Sequence, residues 1–588
     1  MTKTTKIAGL VITIATTLAV FSFWNDSLIV DEIPHIGAGY SYLKKGDMRL
    51  NSEHPPLAKD IGALPLVIFN SDELFESEAW NGDGYYRQWN FGASLLYPQD
   101  TNSQALTRAV KFPMLIFFIL SAVLIFKWCL RRYGDKTALL ALTLFAFSPT
   151  ILAHSRYVAT DVPAMFGCLL AMYFFIKFLK DTKKQNLIIA SIAIGIALLT
   201  KFSTILLIPL FLVIAFIWGI VHTHSTGRQI EFGFKYLRRT IIMIAIGFVI
   251  IVWPVYFLHT MNYPAQQQQA DTQRALNYHD QNAITKSINW MSDKPILRSA
   301  GHYAFGAYLA SKRITSSSSI YFMGELTDES PNSYFPIVYF LKEPLAWWGL
   351  VLLALSATVI WIAKRRQNIK RINQWIRDHI DEFTMIIFLL MYWAVSIRGG
   401  LNIGIRHLLP TYPFAIILVS GVIGILLKDK LRQRVVDIVV TILIAWYVAE
   451  SLLVFPHYLT YFNQVAGGPS GGYKYVADSN IDWGQDLKRL GDWIKANNIK
   501  KIEVDYFGWA STRYYIGDAY IWTNSERNPD AQTFIQNNSS DGWLAVSVQN
   551  LQTTQSKTIP GERAYKWLDE YEPIAKIGNS IFVYNIRE

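Results

Sequence analysis

Eleven runs of apolar residues, each near the length needed to cross a bilayer, interrupt the sequence, and no other feature limits its fold so severely. They lie near 7–24, 111–128, 138–153, 163–179, 187–201, 204–221, 240–258, 346–363, 384–397, 411–427 and 436–454. A hydrocarbon core about 30 Å thick takes about 20 helical residues. Inside it every backbone N–H and C=O must be satisfied within the segment, which favours helices for runs of this kind. The fifth and sixth runs are nearly continuous, "LIIASIAIGIALLTKFSTILLIPLFLVIAFIWGI", too long for one crossing at about 1.5 Å per residue, so a break is predicted at Lys201. Composition agrees, with 52% hydrophobic and 17% charged residues marking a polytopic α-helical membrane protein. The first run follows Lys3 and Lys6 as a signal peptide would, but it is too long for one and has no small-residue cleavage site before Asp31, so it reads as a retained span.

The net charge of +11 would suggest nucleic acid if the basic residues formed one stripe, but they fall in short clusters between apolar runs. "KWCLRRYGDK", "KFLKDTKK", "KYLRR", "KRRQNIKRINQWIR" and "KDKLRQR" all fall on the side of the N-terminus, as expected if positive residues stay inside. The N-terminus is therefore expected in the cytoplasm. Loops 25–110, 154–162, 259–345 and 398–410 and everything after Pro456 are expected outside. This divides the chain into a transmembrane domain, 1–456, with short interfacial helices in loops 25–110 and 259–345, and an extracytoplasmic α/β domain, 457–588. In that tail "DLKRLGDWIKANN" has helical spacing, while "KIEVDYFGW", "GWLAVSVQNL" and "IAKIGNSIFVYNI" read as strands, the last split by a Gly-Asn turn. Cys129 and Cys168 are expected near opposite membrane faces, too far apart for a disulfide. Gln266–Gln269 and Ser316–Ser319 are low-complexity patches, and no repeat of fixed period occurs.

Ionisable residues at a membrane face are costly unless they pair or act. Asp31 and Glu32 stand at the outer end of the first run, and Asp161 at the outer start of the fourth. Each also suits a helix start, "DEIP" and "TDVP" offering a cap, an acid for the positive end of the helix dipole and a first-turn proline, and spacing alone favours that reading. Glu32 and His35 have a helical metal-ligand spacing, a weak signal in isolation. Lys59, Lys201, Lys342, Arg398, Arg406 and His407 lie on the outer side against the positive-inside bias. Snorkelling explains any one of them; several beside acids fit an anionic, membrane-borne ligand such as a lipid phosphate.

"DE" after the first run, "EHPPLAKDIGALPL", "SPTILAHSRYVATDVPAMF", "GIALLTKFS", "NIGIRHLLPTYPF" and "YLTYFNQVAGGPSGGYKYVADSNIDWGQDLKRL" together resemble glycosyltransferase family 39. That group holds protein O-mannosyltransferases and aminoarabinose transferases of the C-type membrane glycosyltransferase fold. The resemblance implies inverting transfer of a sugar from a polyprenyl-phosphate carrier to an acceptor hydroxyl of a protein, glycan or lipid at the non-cytoplasmic face. It implies Asp31 as general base, Glu32 beside it orienting acceptor or cations, and Asp161 assisting the acceptor or supporting developing charge. Lys59, Lys201, Arg406 and His407 would meet the donor phosphate. His54 departs from relatives with a lysine before the Pro-Pro pair, leaving donor contact or loop packing open. Asp478, Asp482 and Trp483 suit either sugar binding or a turn and helix cap. The cofactor left open is a divalent cation, and no nucleic-acid partner is expected. The alternatives are an oligosaccharyltransferase-like enzyme using a diphosphate-linked glycan, although its "WWDxG" hallmark is absent, and a polyprenyl-lipid transporter.

Overall fold

The computed structural model describes residues 2–587 apart from 69–71, 83, 85, 100, 224–226, 280, 316–318, 365–368, 428–432, 538 and 558–560. Most of the Ser316–Ser319 patch and parts of the basic stretches near 366 and 430 therefore lie outside the described residues.

Among the described residues nine helices are long and apolar enough to cross a membrane: Lys3–Phe23, Ser103–Tyr133, Asp161–Lys180, Phe202–His222, Gln229–Thr260, Leu345–Ala363, Ile380–Arg398, Ile405–Leu426 and Arg434–Leu453. The other two expected runs are shorter helices. One is Lys184–Leu198. The other is broken into Asp135–Ala146 and Pro149–His154, because Ser148 caps the second piece through the Ile151 N–H and Pro149 follows at its first position. The break near Lys201 is present: that residue is extended, φ −159° and ψ 143°, between Leu198 and the turn Phe202–Leu206.

The stretch between the first two spans folds into helices Glu32–Lys45, Leu57–Ala63, Arg87–Leu96 and Ser103–Lys111, the last running into the second span. Between Thr260 and Leu345 lie helices Ala265–Leu276, Ala283–Met291, Arg298–Thr315 and Tyr334–Lys342, with a hairpin of β1 (Ile320–Phe322) and β2 (Glu325–Thr327). Both stretches were read as loops with short helices, and both carry them.

The tail holds a five-stranded sheet of β3 (Ile502–Asp505), β4 (Tyr520–Trp522), β5 (Trp543–Ser547), β6 (Ala575–Ile577) and β7 (Ile581–Asn585) in the order β4-β3-β5-β7-β6. The β3 strand runs parallel to both β4 and β5, while β7 is antiparallel to β5 and β6. Helix Leu487–Ala496 buries Leu487, Leu490 and Ile494 against this sheet's core. The turn between β6 and β7 passes through Gly578 and Asn579, both with positive φ, as the Gly-Asn pair suggested. Strand β4 escaped the sequence reading: three residues are too few to show alternation.

The tail is joined to the membrane part by main-chain bonds. Ser27 N donates to Gln485 O at 2.9 Å and Val30 N to Trp483 O at 3.0 Å, so the segment leaving the first span pairs with the segment preceding helix Leu487–Ala496. Within the tail, Gly484 sits at a φ of +90°, where a Cβ would stand 2.7 Å from the Tyr506 hydroxyl.

Candidate active site

Asp31 precedes helix Glu32–Lys45 but makes no capping hydrogen bond. Its Oδ2 instead accepts from Arg406 Nη1 at 2.9 Å, and its side chain remains partly exposed. Asp161 opens the third of the nine spans and is buried; its Oδ1 accepts from Lys201 Nζ at 2.6 Å, and its Oδ2 stands 3.4 Å from the same Arg406 nitrogen. Thus four of the residues singled out by topology form one chain, Asp31–Arg406–Asp161–Lys201. The extended backbone at Lys201 turns its amine back toward the start of that span.

These groups, Asp161 apart, line a cavity of about 130 Å³ with His35, His54, His407, Asn51, Glu53, Gln88, Trp89 and Arg313 among its walls. The Nδ1 of His54 and the Nε2 of His407 are buried without a hydrogen-bond partner. His35 Nδ1 stands 2.9 Å from Val158 O, which fixes the proton on that nitrogen, because a carbonyl only accepts. Burial lowers the pKa of His35 to about 4 and that of His54 well below 6.5, so both imidazoles are neutral at pH 7. Phe202, Ser203, Ala310, Ile314, Leu401 and His407 also belong to a second, more apolar cavity of about 310 Å³, so the two are contiguous.

Several sequence-selected residues do not reach this cavity. Glu32 is fully buried, accepts from Ile29 N at 2.9 Å and Val158 N at 3.0 Å, and pairs with Lys111 at 3.1 Å, which ties two loops together. Lys59 donates to Tyr42 Oη at 3.2 Å and to the carbonyls of Asn51 and His54; it orders the loop that carries His54, and burial lowers its pKa to about 7. Lys342 donates to Leu459 O and Asn480 O, both at 2.7 Å. Asp482 accepts from Gly484 N and Gln549 N at 3.1 and 3.0 Å, and Asp478 O accepts from Ile481 N and Asp482 N, both within the turn.

Trp483 and the turn around it pack against Arg406. The indole face lies 4.2 Å from the Arg406 guanidinium, Arg406 Nε donates to Ser479 Oγ at 3.0 Å, and Ile405 N donates to Asn480 Oδ1 at 2.9 Å. Gly404 admits this contact, since a Cβ there would stand 2.3 Å from Ser479 Oγ. Sequence reasoning missed Arg313 and Glu53, joined at 2.6 Å between the 259–345 and 25–110 stretches, although Arg313 is a further cation in a stretch expected outside and Glu53 adjoins His54.

Among the described residues no group of three His, Cys, Asp or Glu side chains is placed to hold a metal ion. The carboxylates nearby are engaged: Asp31 and Asp161 face Arg406, Asp161 also holds Lys201, and Glu32 is taken by Lys111 and main-chain N–H groups. As placed, the described side chains of this cavity form no divalent-cation site.

No curated protein matches the sequence. Residues 103–253 match the family model for dolichyl-phosphate-mannose-protein mannosyltransferase. Among solved structures, the S. cerevisiae protein O-mannosyltransferase complex bound to the sugar donor is 12% identical with a TM-score of 0.49, over 90% of this chain and 94% of that one. The Archaeoglobus fulgidus oligosaccharyltransferase in complex with an inhibitory peptide and a dolichol-phosphate is 10% identical with a TM-score of 0.45, over 99% and 75%. ArnT from Cupriavidus metallidurans bound to undecaprenyl phosphate is 12% identical with a TM-score of 0.29, over 99% and 98%. These structural likenesses are loose. Over residues 103–253 the chain is similar to the mannosyltransferase family, in line with the motifs quoted from its sequence.

Proposed function

We propose that this protein is an inverting glycosyltransferase that moves a sugar from a polyprenyl-phosphate carrier to an acceptor hydroxyl at the non-cytoplasmic membrane face. The observation that carries the reading is the contiguity of the two cavities: one is walled by Asp31 paired to Arg406 and by Lys201, the other is largely apolar and lined in part by span residues such as Phe202, Tyr392 and Val395. Together they match an amphiphile with an anionic head and a long hydrocarbon tail.

The reaction needs little beyond these groups. The acceptor oxygen attacks the anomeric carbon while Asp31 takes its proton, and the bonding pair leaves with the phosphate toward Arg406 and Lys201. A phosphate leaving group needs no protonation, so one base and positioned cations suffice. A bound phosphate competes with Asp31 for Arg406 and frees the carboxylate to act. Asp161, already held by Lys201 and Arg406, serves as the fixed charge that orients both cations. His407 and His54 offer unpaired ring nitrogens for phosphate and sugar oxygens.

Mass spectrometry of glycolipids and glycoproteins from a deletion strain should show one lost sugar and accumulation of its polyprenyl-phosphate donor. Complementation with Asp31→Asn should leave that pattern, with transfer reduced by about 10²–10⁴-fold while folded protein stays at the wild-type level. Near-normal transfer by this variant would overturn the base assignment.

A further inference from the structure

The tail sheet has a topological switch point. The chain leaves β3 toward β4 on one side and later enters β5 on the other side of β3, all three strands being parallel. In open parallel sheets ligands bind outside the carboxyl ends of the strands at such a point, where the outgoing loops diverge. Here that edge faces the catalytic cavity. The loop after β3 donates Tyr506 Oη to Gly484 O at 2.6 Å and Phe507 N to Ser547 Oγ at 3.0 Å, and the helix after β5, Val548–Thr553, sends Gln549 N to Asp482.

From the same β3 loop Trp509 reaches the cavity rim. Its ring stacks on Trp89, with centroids 5.7 Å apart and planes 26° apart, and Tyr86 lies 5.8 Å from Trp509 and 6.2 Å from Trp89. Trp89 and Trp509 are only partly buried and Tyr86 is 60% exposed. Trp89 also lines the cavity beside Gln88, Asn51 and His54, and the Asn51 Oδ1 and His54 Nδ1 atoms are buried without hydrogen-bond partners. Aromatic faces next to amide and imidazole atoms are the composition a sugar ring selects: its C–H face lies on the indole and its hydroxyls take the polar atoms.

We infer that the seam between helix Arg87–Leu96 and the β3 loop, formed by Tyr86, Trp89 and Trp509, is a saccharide-binding subsite that receives the acceptor glycan. The inference rests on the transferase reading and narrows it from any hydroxyl to a carbohydrate one. It also gives the tail a task, that of completing the acceptor site from above the membrane.

The test uses the full-length protein in lipid nanodiscs with maltotetraose, cellotetraose, chitotetraose and mannotetraose as probes, read by saturation-transfer difference NMR. At least one tetrasaccharide should bind, with binding at least tenfold weaker in Trp509→Ala, kept within threefold in Trp509→Phe, and unchanged undecaprenyl phosphate binding in both. If Trp509→Ala fails to fold, Tyr86→Ala takes its place with the same expected loss. Three results overturn the subsite: no tetrasaccharide binds, binding survives Trp509→Ala, or brominated lipid quenches the Trp509 emission, isolated as the difference from Trp509→Phe, which would assign the patch to the membrane. Loss of lipid-phosphate binding in the wild type, with saccharide binding intact, would instead count against the transferase reading and leave the subsite standing.

Discussion

Arg406 has one guanidinium nitrogen within reach of both Asp31 and Asp161, so its orientation decides how charge is shared between them. That orientation is set by the Ser479 hydroxyl on Nε and the Trp483 face, both from the tail. A hydrogen bond to a charged group is worth about 1.5–3 kcal/mol, and 1.36 kcal/mol is a factor of ten in rate. Ser479→Ala should therefore lower kcat by about tenfold or more at unchanged folded yield, and Ser479→Thr, which keeps the hydroxyl, should restore it. Equal losses in both variants, or normal kcat in Ser479→Ala, would show that Ser479 only fills space. Asp31, Asp161, Lys201 and Arg406 were expected on one face from topology, and the structure brings their side chains together. Glu32 and Lys59, expected beside acceptor or donor, and Asp482, left open between sugar binding and a turn, bond main-chain groups or Lys111 here; spacing locates a residue at a helix start or in a loop, but not whether its charged end meets ligand or main chain. Asp31 itself was the closest case: spacing alone favoured a cap for "DEIP", the family resemblance favoured a base, and the structure shows no capping bond and an Arg406 contact.

At the scale of elements, helix Glu32–Lys45 presents the site because it is packed backbone to backbone on two sides. A Cβ at Gly39 would stand 2.2 Å from Lys59 O, one at Gly92 would stand 2.1 Å from Ile33 O, and Gly37 lies against Gly92. No side chain fits at these crossings, so the first outer stretch is a rigid block that holds Asp31, His35 and His54 in register. Gly39→Ala forces the two helices apart and should destabilise the protein by about 1–3 kcal/mol, seen as a lower Tm in detergent. Gly9→Ala, with nothing within 4 Å of its Cβ, is the matched control and should leave Tm unchanged. An equal shift in both variants would remove the crossing argument. The spans were legible because their apolar runs are long; this block was not. "IGAGYSY" shows two glycines in a helix, and only the partner backbones explain them. The broken third run was legible in hindsight, from a serine cap followed by proline.

Across the whole molecule, one buried network fastens the tail to the membrane part and so assembles the site from two ends of the chain. Asp26, just past the first span, is fully buried between Arg489 of the tail at 2.7 Å and Arg156 of the 154–160 loop at 3.4 Å; Arg489 also pairs with Asp486 at 2.5 Å. Burial opposes the charge on Asp26, but Arg156, Arg489 and Lys111 outweigh it and hold the carboxyl below the usual carboxylate range. Replacing one partner of such a network leaves buried charge uncompensated and costs about 3–5 kcal/mol. In Asp26→Asn the shape is kept and the two arginines lose their counter-charge, so the strain falls on the seam where Ser27 and Val30 pair with Gln485 and Trp483. Hydrogen exchange should then rise at 26–30 and 478–487 while β3, β5 and β7 stay protected, because their core is the sheet's own. Transfer should fall with the exchange, since Asp31 and Trp483 border the loosened pairs. Unchanged exchange at the seam would show that the network is dispensable, and loss of protection throughout the sheet would show that the tail has no stability apart from its dock.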